Sequence, residues 1–157
     1  MKNEDSIEVL NTLTQINNDR IEGYKTASEE TDEQDLKSFF SDLKQTSETC
    51  NRELAAEIVR LGGTPTESTK FSGKFFRVWM DVKAALNSKN REVILDSCEY
   101  GEDAAKDIYE EALDEDSDSL TPEQITMIQA QQTILRKDHD KVKSMRNALS
   151  DISEGVK

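Results

Sequence analysis

His139 is the single histidine of the chain. With Glu102 it forms the pair of side chains best suited by type to a transition metal, because imidazole nitrogen and carboxylate oxygen both serve iron, manganese or zinc. The candidate is a mononuclear site. A di-iron centre of the four-helix-bundle kind needs a Glu from each of two helices and a Glu-x-x-His pair from each of the other two. Both pairs are broken here, since Arg136 stands three residues before His139 and Glu48 is followed at that spacing by Asn51. On a helical wheel the first amphipathic segment turns Leu13, Asn17, Arg20, Ile21 and Tyr24 inward, leaves Asp19 outside that arc and points Glu22 away. No carboxylate of that segment is expected to face the core.

The same wheels turn further polar residues inward: Asn17, Arg20, Ser47, Glu102, Gln132 and His139. Counted from the helix ends they fall within about one turn of each other, which predicts a polar layer in mid-bundle. A buried arginine is costly unless paired, so Arg20 is expected to meet Glu102 or Asp138, and its fixed charge repels a cation there. The layer therefore reads as a structural network that fixes helix register, with a small-ligand pocket or a weak metal site as its competitors.

Three other patterns carry less. Asp114, Asp116 and Asp118 mimic the opening of a calcium loop, but Ser119 replaces its glycine and Ile125 its closing glutamate. That leaves a solvated acidic turn. The lone histidine has no recognisable Ser or Cys partner, so no nucleophile scheme is supported. Lys74, Arg77 and Trp79 lie in a stretch where basic and aromatic residues alternate, which suits docking to a partner or a membrane surface, or an aromatic lid on neighbouring acidic helices.

The elements that must position these residues are helices. Apolar residues at helical spacing predict helices over about 6–29, 32–61, 90–113 and 122–150, with capping boxes at Asp5 and Glu8, at Thr31 and Gln34 and at Thr121 and Gln124, and Gly62-Gly63 as a stop. Short polar turns join the first to the second and the third to the fourth, so each pair is expected to form an antiparallel hairpin. About 27 residues separate the hairpins, enough to run back along the bundle, and they carry a short helix over about 73–87. The expected fold is all-α, one domain over residues 1–157, a ferritin-like four-helix bundle with one long crossover.

Composition agrees with that expectation. Charged and apolar residues each make up 34%, with only six glycines and two prolines to interrupt helices. A formal charge of −13 repels nucleic acid and anionic lipid. No run approaches the roughly 18 apolar residues of a membrane span and no apolar leader opens the chain, so the expected location is cytoplasmic. Cys50 and Cys98 lack CxxC spacing and sit on core-facing positions of different helices, as reduced packing residues do.

The segments INNDRIEGYKTASEETDEQDLKSFF, LAAEIVRLGGTP, DVKAAL, CEYGEDAAKDIYEEAL and RKDHDKVKSMRNAL follow one another over nearly the whole chain. In that order they resemble an uncharacterised family of bacterial ferritin-like four-helix-bundle proteins, a domain of unknown function. The resemblance implies the ferritin-like fold and brings no activity. The functional expectation is a non-catalytic interaction or stress-associated module without a cofactor, whose partner, another protein or a second copy, the residues do not name. A metal-binding ferritin-like protein is the alternative.

Overall fold

The computed structural model describes residues 2–68 and 91–155. Among these it is all-helical, with four long helices and no strand: α1 (Lys2–Glu30), α2 (Gln34–Arg60), α3 (Arg91–Asp114) and α4 (Pro122–Gly155), plus a 3-10 turn at Ser117–Ser119. The expected crossover helix, with Lys74, Arg77 and Trp79, lies outside the described residues. No helix among those described is long and apolar enough to cross a membrane.

The helix ends are set by local chemistry. At the close of α2, Gly62 N–H donates to Val59 O and Gly63 N–H to Ile58 O, with Gly62 at a φ of 89°, where only glycine is unstrained. Gly63 sits at a close approach. A Cβ there would stand 2.9 Å from Ile7 Cδ1 and 3.1 Å from Ile58 Cγ2, so the end of α2 presses directly on the start of α1.

The expected capping boxes fare differently. The one at Asp5 and Glu8 does not open α1, because the helix already starts at Lys2. Thr121 Oγ1 accepts from Gln124 N–H and Gln124 Oε1 from Thr121 N–H, a reciprocal pair that opens α4 around Pro122. The box at Thr31 and Gln34 does not form. Glu33 takes the N-cap position of α2 without a side-chain cap, because Thr31 Oγ1 is spent one residue earlier on Glu33 N–H.

One core runs through all four helices, from Leu10, Leu13 and Ile16 on α1 and Phe40, Leu43 and Leu54 on α2 to Ile94, Ala105 and Tyr109 on α3 and Ile128, Leu135 and Val142 on α4. Tyr24 stacks on Phe40 with centroids 5.9 Å apart, joining α1 to α2. The acidic turn after α3 is tied to the start of α1, where Ser6 Oγ donates to Ser119 O. Chain leaving α2 returns over the outer face of α1: Asn11, Gln15 and Asn18 bond to Thr64, Thr66 and Ser68.

Candidate functional site: a buried polar layer

Asn17, Arg20 and Tyr24 stand three and four residues apart on α1, hence on one face of the helix. That face is inside. Arg20 is 1% exposed, and its guanidinium fans out to three different helices. Nη1 donates to Ser47 Oγ on α2, Nε and Nη2 donate to Glu102 Oε1 on α3 at 3.2 and 2.8 Å, and Nη2 also donates to Asp138 Oδ2 on α4 at 3.2 Å. A planar cation with five fixed N–H groups can divide itself this way, and a lysine ammonium cannot.

Glu102 collects most of these donors on one oxygen. Tyr24 OH also donates to Oε1, while Oε2 is buried and accepts no hydrogen bond. Tyr24 in turn lies under the guanidinium, with Arg20 Cζ 5.4 Å from its ring centre. Burial works against the charge on Arg20, but the Glu102 carboxylate, Tyr24 and Asp138 outweigh it and raise its pKa further. Burial and then Glu102 push the Tyr24 phenol well above its ordinary value, so at neutral pH it stays a donor.

A second strand of the layer starts from Asn17. Its Nδ2 donates to Leu13 O and, at 2.8 Å, to Tyr109 OH; that hydroxyl donates to Gln131 Oε1 at 2.8 Å. Gln131 Nε2 closes the path on α2, donating to Glu53 Oε1 at 3.0 Å and to Cys50 O at 3.3 Å. Four helices are crossed again. Cys50 and Cys98 flank the layer as buried free thiols, and burial raises both, Cys50 to about 11.

Asn17, Arg20, Ser47 and Glu102 thus stand in the layer, and Arg20 meets both carboxylates named for it. Two expected members do not join them. Gln132 is half-buried, and the buried amide on that helix is Gln131, one residue earlier. His139 is half-buried on the seam between α3 and α4, with Nε2 2.7 Å from Asp103 Oδ1 and Nδ1 3.5 Å from Asp140 Oδ1. Asp19 is a further correction, being fully buried where the wheel put it outside the core arc. The buried arc of α1 is therefore wider than a bundle-facing stripe.

Glu102 and His139, the candidate ligands, are each engaged separately, one by Arg20 and Tyr24 and the other by Asp103. Among the described residues no three His, Cys, Asp or Glu side chains are grouped to hold an ion. A fixed guanidinium at the centre opposes any cation placed on Glu102. What the arrangement does chemically is hold one cation against carboxylates in four-way contact.

A family model described as Domain of unknown function (DUF2383) matches residues 5–115. The match takes in α1 to α3, and Gln131 and Asp138 come from α4, beyond it. No curated protein matches the chain.

Proposed function

We propose, for a chain that belongs to the family described as Domain of unknown function (DUF2383), a non-catalytic role as a cytoplasmic ferritin-like helical-bundle module acting through its surface. Its buried polar layer serves architecture, holding residues 1–157 as one domain of two antiparallel hairpins in fixed register. The observation that carries this reading is the fan of Arg20, one side chain of α1 donating to Ser47, Glu102 and Asp138 on each of the other three helices. A helix that slips by one residue turns its own inward face by about 100° and leaves a buried charge unpaired, so the wrong registers are penalised more than the right one is stabilised.

A metal-binding role would give the same residues opposite assignments, and the two are separated by unfolding Arg20→Ala and His139→Ala in denaturant with and without added iron or zinc. The structural reading expects Arg20→Ala to be severely destabilised in every condition. It is overturned if Arg20→Ala is neutral and His139→Ala alone abolishes a metal-dependent gain in stability.

A further inference from the structure

Between α2 and α4 the surface opens into a groove of about 370 Å3, within the range of small-molecule sites. Phe39, Leu43 and Ile134 give it apolar walls, and Asp138 lines it. Asp138 is 4% exposed and joins the groove to the buried layer. Its Oδ2 accepts from Arg20, while its other oxygen accepts no hydrogen bond from any described residue and is not sealed from solvent.

The charges around that oxygen do not balance. Arg20 is a single cation facing two carboxylates, Glu102 and Asp138, so the Arg20 cluster keeps one negative charge at the end that meets the groove. Asp42 and Glu53 add two more at its sides. Lys141 also lines the groove but is exposed and forms no ion pair with Asp138 among the described residues. A nearly buried carboxylate with an open oxygen, set against apolar walls, calls for a positive head on a carbon body.

The geometry points to a binding site for a small organic cation, an alkylammonium or alkylguanidinium, with its head on Asp138 and its chain along Phe39, Leu43 and Ile134. This goes beyond the architectural role, because the same carboxylate that Arg20 holds in place becomes the recognition group. An inorganic ion gains nothing from the apolar walls, and an anion is repelled by the three carboxylates.

The test is a titration of the isotope-labelled full chain with hexylammonium, with hexanoate and potassium at matched ionic strength as controls. Saturable amide shifts centred on Leu43, Cys50, Ile134 and Asp138 are expected with hexylammonium alone. Ile134→Ser, at a position already 42% exposed and so harmless to the fold, should weaken that binding roughly tenfold by removing chain contact. Equal shifts with hexanoate or potassium, or an Ile134→Ser variant that binds unchanged, would overturn the site.

Discussion

Arg20 Nη2 lies 2.8 Å from Glu102 Oε1, and both side chains are 1% exposed. At that burial neither charge can be left alone, because taking a carboxylate out of water without its partner costs several kcal/mol while solvent cannot enter to compensate. Arg20→Ala should therefore lower unfolding free energy by about 3 to 5 kcal/mol, read as a fall in the denaturant midpoint at unchanged slope. Arg20→Lys should recover little of this, since one ammonium cannot reach Ser47, Glu102 and Asp138 together.

Tyr24→Phe removes the hydroxyl that donates to Glu102 but keeps the ring stacked on Phe40. Glu102 Oε1 retains both donors from Arg20, so the expected loss is about 1 kcal/mol, well short of the arginine variant. A loss equal to that of Arg20→Ala would mean that the phenol, and not the guanidinium, holds the carboxylate.

Alkaline pH should loosen the bundle earlier than surface chemistry alone would. Cys50 ionises near 9.0 when unfolded and is pushed by burial to about 11 in the fold, so between those values the unfolded chain binds fewer protons and is favoured. Stability is full below about pH 9 and falls as pH rises toward 11. Tyr24, Tyr109 and Cys98 are raised in the same sense. Denaturant midpoints across that window should drop less for Cys50→Ala than for the parent chain, and a thiol reagent at neutral pH should find two free thiols only after unfolding.

His139→Ala should be mild. Its partner Asp103 is half exposed, and such pairs contribute about 0 to 1 kcal/mol. Melting curves of this variant should shift slightly and respond to zinc no differently from the parent; a large metal-dependent difference would restore the metal reading.

The helices were legible in the sequence because apolar spacing, the Thr121 box and the Gly62-Gly63 stop all point the same way. Arg20 and Glu102 were legible for a related reason: a charged residue in the middle of an apolar stripe has nowhere else to go. The misses have physical causes too. On α4 the stripe reads equally well through Gln132 or Gln131, since one residue turns the wheel by about 100° and a broad stripe tolerates it. Only packing chooses, and it buries Tyr109 as the partner of Asn17 and Gln131 as the partner of Tyr109. Asp19 is buried on a side of α1 that no bundle-facing wheel describes.

Whether Arg20 and Glu102 stabilise the bundle as a coupled pair is measured directly by a double-mutant cycle. Arg20→Ala, Glu102→Ala and the double variant would be unfolded in denaturant beside the parent chain. The double variant should lose less than the two single losses added together, by about 2 kcal/mol or more, because Arg20→Ala strands the buried Glu102 carboxylate and the double variant no longer carries it. Losses that add to within about 0.5 kcal/mol would contradict it, and the polar layer would then be a set of independent contacts with no lock at its centre.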